Sequence, residues 1–408
     1  MKCKNYIFTL LVAFATLLSW WVVPSLVKKA TDDSHSYPLM YYSSILKELC
    51  IIIDFRGGNE TFSDAKGNVY PRSEYDSLLP LLNSRVLMMN GVMPDTIDGC
   101  AIEPKQLRVK QVSFRYRPSD MVAPQPQMGV LFEAMPKRGN LTMPGDFFRM
   151  EDDCITFVDA KTNTVDEKKS DRFTREMKKK GFTFPARAFW GNPTTRKPYE
   201  EGYFCLDAKG QLFQLKMVND RPFVKNTHVS DSVGVKWFVM NEAMDKRHYG
   251  FVFGTKGETG IIEENDGDYR FVQMDIRSFN PAKDELMVLG NILYWTVNVQ
   301  NEKGLDSYGL NRETLKRLSY YHIDAKKGLW DKTSEWLFPC YLSFTAPQSG
   351  YVGLYWSVGA WKAFVFNAIL ALAALAFFYR KGRKRGVLSA VYVLLCGIPA
   401  LVALLLFR

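Results

Sequence analysis

The sequence predicts a mainly β protein: a propeller-like β-repeat domain on the outside of a membrane, with a few short helices, plus three transmembrane helices. Three observations predict it. A hairpin signal recurs at a nearly constant spacing. Apolar runs of membrane-spanning length stand at the two ends of the chain. The surplus positive charge sits beside those runs.

The clearest hairpin is Tyr203 to Leu215, an aromatic run, the polar turn Asp207-Ala208-Lys209-Gly210, and a second run alternating apolar and polar. Glycine supplies the positive φ that such a turn needs. Asp159, Asp207, Thr255 and Asn301 open turns of this kind at steps of 48, 48 and 46 residues, and a further copy opens at Asp64. A period in the forties built from hairpins is the size of a four-stranded propeller blade, in which each short sheet buries both faces against its neighbours. Some 300 residues at this period make about six units. A pair of β-sandwiches is the alternative architecture.

The chain has 408 residues and a net charge of +10. Seven of the positives are Lys2, Lys4, Arg380, Lys381, Arg383, Lys384 and Arg385, and they flank the apolar runs. The high charge is thus a topology signal, and no basic-aromatic module points to nucleic acid. The seven cysteines show no C-x-x-C or zinc-ligand spacing, which favours free thiols.

In order, Tyr6 to Val27 is an uncharged apolar run of bilayer length, ending near Trp20-Trp21 without a small-x-small cleavage site, so an uncleaved anchor over 1–29 is expected. The exported domain spans 30–350. It opens with a polar linker from Thr31 to Ser36 and one or two strands between Tyr37 and Phe55. Pro80 to Met89 has helical spacing, Gln106 to Tyr116 and Met128 to Met135 read as strands, and Ser170 caps a polar helix that ends at Lys180. From Tyr203 the β pattern is nearly unbroken. Residues 351–408 return to the membrane: an aromatic entry at Tyr351, Tyr355, Trp356 and Trp361, the run Ala363 to Tyr379, the basic loop 380–385, and a third run from Val387 to Phe407. The positive-inside rule places the N-terminus and the basic loop in the cytoplasm of a bacterial inner membrane, with the large domain periplasmic.

Chemistry-bearing patterns are sparse. No H-E-x-x-H, G-x-S-x-G, Walker or dinucleotide motif is present, so no catalytic residue, metal or cofactor is expected. Asp152-Asp153, Glu263-Glu264 and Asp266/Asp268 lie at strand ends, where acids solvate turns, and the last pair does not match a calcium loop. The best ligand-binding candidates are Arg187, Trp190, Arg196, Lys197 and Tyr199, in the aromatic and basic segment before the Tyr203 hairpin. A packing role is the competing account of that segment.

Several stretches carry a family resemblance: Phe62-x-Asp64-x-x-Gly67-x-x-Tyr70, Leu79-Pro80-Leu81, Gly91-x-x-Pro94-Asp95-x-x-x-Gly99, Gly181-Phe182-x-Phe184-Pro185, and Gly191-Asn192-Pro193-Thr194-x-Arg196-Lys197-x-Tyr199-x-x-Gly202-Tyr203-Phe204. They resemble a family of uncharacterised membrane-anchored proteins containing a domain of unknown function. The resemblance implies companionship with ABC transporter permease and ATPase subunits, and carries no catalytic residues. The expected function is therefore that of a transport accessory protein binding a substrate or partner outside. A lone tethered sensor, or an exported hydrolase or lyase, are the rivals.

Overall fold

The computed structural model describes residues 2–31, 37–53, 60–345, 351–380 and 382–407. The chain splits into two compact units, Tyr37–Asp324 on one hand and Met1–Ser36 with Ala325–Arg408 on the other. The expected linker at 32–36, the strand end at 54–55, Lys381 and Arg408 lie outside the described residues.

The chain opens with helix α1 (Lys2–Thr31) and enters the β unit. Strands β1 (Leu39–Tyr42), β2 (Leu49–Ile53), β3 (Thr61–Asp64) and β4 (Val69–Tyr70) form an antiparallel meander. There follow α2 (Arg72–Leu78), α3 (Ser84–Met89), the small hairpin β5 (Thr96–Ile97) and β6 (Cys100–Ala101), α4 (Pro104–Val109), β7 (Val112–Tyr116) and α5 (Pro118–Val122). A three-stranded sheet of β8 (Met128–Gly129), β9 (Asp146–Met150) and β10 (Ile155–Asp159) precedes α6 (Glu167–Lys179). Two regular meanders come next: β11 (Ala188–Gly191), β12 (Tyr203–Leu206), β13 (Leu212–Val218) and β14 (Arg221–Asn226), then β15 (Val235–Met240), β16 (Gly250–Gly254), β17 (Thr259–Asn265) and β18 (Asp268–Gln273). The last sheet holds β19 (Glu285–Gly290), β20 (Tyr294–Asn301), β21 (Gly304–Asn311) and β22 (Arg317–Asp324), and the early strand β7 pairs with β19.

These sheets pack in succession through alternating faces. On β12, Tyr203 and Cys205 join a core with Phe148 and Phe157 of the β8–β10 sheet and Phe173 of α6. Phe204 and Leu206 point the other way, into a core with Phe238, Phe251 and Ile262 of the β15–β18 sheet. That core continues to Trp295, Val297 and Val299 of β20, while Tyr294 meets Met40, Tyr42 and Ile51 of β1 and β2. The opposite face of β1–β4 is covered by Tyr75 and Leu79. A central strand with neighbours on both sides is buried along its whole length, as all five residues of β16 are; this is why such strands read as continuous apolar runs.

Several expectations need correction. Among the described residues the β unit holds six sheets, but they are unequal: four have four or five strands, one has three, and one is the two-stranded β5–β6 hairpin. The regular repeat covers only β11 to β22, where the turns at Asp207, Thr255 and Asn301 each join the second strand of a sheet to the third. The turn at Asp64 joins β3 to β4, and that at Asp159 leads towards α6. What recurs is turn chemistry: the side chains of Asp64, Asp159, Asp207 and Asn301 each accept the N–H two residues on, at 2.8–2.9 Å, the Asx-turn that these residues favour. The stretch 106–116 is half helix, because Pro104 starts α4. Only Met128–Gly129 of the run 128–135 is a strand. Asp166, not Ser170, caps α6 by accepting from the N–H of Lys169; Ser170 is buried and its hydroxyl accepts from the N–H of Phe157 at 2.8 Å. The six described cysteines other than Cys3 are free thiols.

After the β unit come α7 (Leu329–Leu337), a hairpin of β23 (Cys340–Thr345) and β24 (Val352–Val358), then α8 (Lys362–Tyr379), α9 (Arg383–Cys396) and α10 (Ile398–Leu406). Among the described residues two helices are long and apolar enough to cross a membrane: α1 over the 26 residues Tyr6–Thr31, and α8 over its 18. The expected third spanning helix is a correction. The run 387–407 is broken into α9 and α10 at Gly397, whose φ is +67°, and Pro399 lies in the first turn after the break. The break is accommodated by Asn367 of α8, which donates to the Leu394 carbonyl at 3.1 Å. Small residues let these helices approach: Ala371, Ala374 and Ala400 are buried with Phe378 and Val393, and Ala15 of α1 meets Ala403 of α10.

Candidate functional site

The regular sheets end, opposite the short turns at Asp207, Thr255 and Asn301, in longer loops. Residues 192–202 join β11 to β12, residues 241–249 join β15 to β16, and residues 312–316 join β21 to β22. Charged side chains of these loops interlock. Lys197 Nζ lies 2.8 Å from Glu200 Oε2 and 2.8 Å from Glu242 Oε1, and the three side chains are 3, 2 and 1 % exposed. Glu242 also accepts the N–H of Glu201 and the Asn192 amide, each at 2.9 Å. The Tyr199 hydroxyl donates to the Ala243 carbonyl. Lys216 Nζ and Gln214 Nε2 meet Glu201 Oε2 at 2.7 and 3.1 Å.

The network extends to the next sheet. Arg247 Nε donates to Glu263 Oε1 at 2.9 Å, and Arg270 Nη2 to the other Glu263 oxygen at 2.8 Å. Arg312 pairs with Asp245 and Glu313. His248 bonds Asn241 through Nε2 at 3.0 Å and lies edge-on to Phe251 and Trp295. Among the described residues, Arg247 Nη1, Arg312 Nε and His248 Nδ1 find no hydrogen-bond partner.

Burial sets the electrostatics. Desolvation pushes the Glu200 carboxyl up, against the pull of Lys197 and with a push from Glu242, to about 7. Desolvation drives His248 down to about 4, so its imidazole is neutral. Glu200 is thus the carboxyl of the network that burial holds furthest above the ordinary carboxylate range. The buried charges Lys197, Glu242, Asp245, Arg247, Glu263 and Arg312 are paired with one another or with neighbours, which braces the loops. Among the described residues no group of three His, Cys, Asp or Glu is placed to hold a metal.

The five residues singled out from sequence occupy different settings. Lys197 and Tyr199 belong to the network. Trp190 is buried, 5.4 Å from the Trp237 ring. Arg187 donates to the Ala208 carbonyl and braces the Asp207 turn. Arg196 is exposed at the loop surface, as are Pro193 and Met244. Lys246 lies 4.6 Å above the Tyr199 ring. The sequence reading missed Glu200, Glu242, Asp245, Arg247, His248 and Arg312. It also misjudged Glu263, which is buried under two arginines and does not solvate a turn. The spacing Lys197-x-x-Glu200 was the one local cue; the remaining partners come from separate loops.

Together these features define a multi-sheet β protein with one stiffened loop face, joined to a unit of apolar helices. Residues 39–310 match the model of a family described as a domain of unknown function, DUF4857, and the chain belongs to that family. No curated protein matches it. One solved structure it resembles is the dihydro-heme d1 dehydrogenase NirN in complex with DHE, at 10% identity over 63% of this chain and 75% of that one, with a TM-score of 0.20.

Proposed function

We propose that the protein is a membrane-anchored accessory component of a bacterial ABC-type transport system. Its β unit, propeller-like in the stacking of its sheets, stands on the periplasmic side and binds a substrate or partner through the loop face around Tyr199, Met244 and Lys246. The helical unit holds it in the inner membrane and packs against a permease.

The observation that carries this reading is the tether. The β unit is inserted between α1 and the C-terminal helices, and α1 and α8 both have the length and apolarity of spanning helices. Arg385 at the start of α9 lies 5.8 Å from the Phe8 ring of α1, so the basic loop and the lysine-bearing start of α1 share one end of the helical unit. That agrees with a common cytoplasmic side. At the other end Trp20 and Trp21 of α1 meet Trp356 and Phe344 of the β23–β24 hairpin at 5.1 and 4.8 Å. Val352, Leu354, Trp356 and Val358 alternate along the exposed side of β24, an apolar face suited to the membrane interface or to a permease.

The test is affinity purification of the tagged full chain from its native membrane in mild detergent. Permease and ATPase subunits are expected in stoichiometric amounts. Recovery of a lone, stable monomer would remove the transport reading.

A further inference from the structure

The helical unit contains a groove of about 900 Å³ between α1, α9 and α10. That is at the upper end of the roughly 300–1,000 Å³ typical of small-molecule sites. Its walls are mostly apolar, Phe8 and Val12 on one side and Leu388 and Leu404 on the other, with Thr9 and Ser389 also in the lining. Arg385 stands at one end. The guanidinium lies over the Phe8 ring and has no ion-pair partner among the described residues. Further inside, the Tyr392 hydroxyl is already committed to Thr16 Oγ1 at 2.8 Å.

The groove is thus polarised, apolar along its length and cationic at its mouth. Its surroundings repeat that polarity. Arg383 and Lys384 belong to the same first turn of α9, and neither residues 1–30 nor residues 351–408 contain any Asp or Glu. The acids of this unit's helices, Asp331 and Glu335, stand on α7, and Glu335 pairs with Lys327 and Lys362, not with Arg385. A ligand that satisfies both ends needs an anionic head joined to an apolar chain. Basic pockets between membrane helices on the cytoplasmic side are where anionic headgroups bind.

We propose that this groove is a binding site for one anionic phospholipid, its phosphate on Arg385 and an acyl chain along Phe8, Val12, Leu388 and Leu404. The occupant is a lipid and not a partner helix, because a phosphate meets the exposed Arg385 guanidinium while an acyl chain fills the apolar walls, and an apolar helix offers the guanidinium no anion. The proposal rests on the membrane reading of α1 and α8.

The experiment is native mass spectrometry of the full chain in detergent, titrated with dioleoyl phosphatidylglycerol, dioleoyl phosphatidylcholine or inorganic phosphate. One phosphatidylglycerol per chain should be retained, in clear preference to phosphatidylcholine. Arg385→Gln should lower that retention about fivefold, the effect of removing one interfacial cation. Ala13→Trp fills the groove from an exposed position on α1 and should abolish retention. Arg383→Gln, whose side chain is not in the groove lining, should change it least. Equal binding of the two lipids, displacement by inorganic phosphate, an unchanged Arg385→Gln variant, or a copurifying polypeptide in the groove would each overturn the proposal. Separately, recovery of the protein in the soluble fraction after carbonate extraction would remove the membrane reading itself.

Discussion

Replacing Lys197 by Met tests whether the loop face is held by its buried charges. Methionine keeps the length and apolar bulk of the lysine stem but removes the ammonium, leaving Glu200 and Glu242 facing each other with 2 and 1 % exposure. Breaking a buried ion pair from one side typically costs about 3–5 kcal/mol, since the remaining charge stays desolvated. For a domain of this size that corresponds to a fall in melting temperature on the order of 10 °C. The assay is thermal unfolding of the full chain in detergent, followed by tryptophan fluorescence, at pH 8 and pH 5. Desolvation pushes the Glu200 carboxyl up, against the pull of Lys197 and with a push from Glu242, so without Lys197 the folded pKa rises further, and ionised Glu200 burdens the variant's folded state more at pH 8 than at pH 5. The defect should therefore be large at pH 8 and clearly smaller at pH 5. A loss under about 1 kcal/mol at pH 8, or an equal loss at both pH values, would refute the assigned role.

Three further outcomes are expected. Asp207→Ala deprives the N–H groups of Lys209, Gln211 and Thr183 of their acceptor, and should cost about 2–3 kcal/mol in chemical denaturation. Gly202→Ala should be worse, roughly 3 kcal/mol or more, because φ is +74° and a Cβ there would stand 2.0 Å from the Leu215 carbonyl oxygen. His248 has its folded pKa lowered from 6.5 to about 4, so the unfolded chain binds the extra proton first and stability falls as pH drops through that window. His248→Gln, compared with the unmodified chain across pH 4 to 7, should flatten that acid limb by about 3 kcal/mol.

Strand content and the hairpin chemistry were legible in the sequence because both are local. An Asp or Asn side chain capping its own turn leaves a fixed spacing to glycine, and the Tyr203 hairpin forms in the expected register, Tyr203 opposite Leu215. The same locality misled the placing of the repeat, since Asp64 and Asp159 use the turn at other points of their sheets. The pairing of β7 with β19, more than 160 residues away, leaves no local trace. The third apolar run was long enough to span, but Gly397 and Pro399 outweigh its hydropathy. At the loop face, Lys197 and Tyr199 were visible as a basic and aromatic segment. Glu242, Asp245 and Arg312 were not, because what distinguishes them is burial against residues from other loops.

Cysteine labelling reports most directly on the central claim, a β unit held outside the inner membrane by apolar helices. Cys100 lies in the β unit and is an exposed free thiol, whereas Cys50 and Cys205 are buried. Spheroplasts and inside-out vesicles carrying the full chain would each be treated with a membrane-impermeant maleimide, and the label mapped by mass spectrometry. Labelling of Cys100 in spheroplasts and its protection in inside-out vesicles is the predicted result. The reverse pattern, or full labelling of a protein that does not sediment with membranes, would contradict the account.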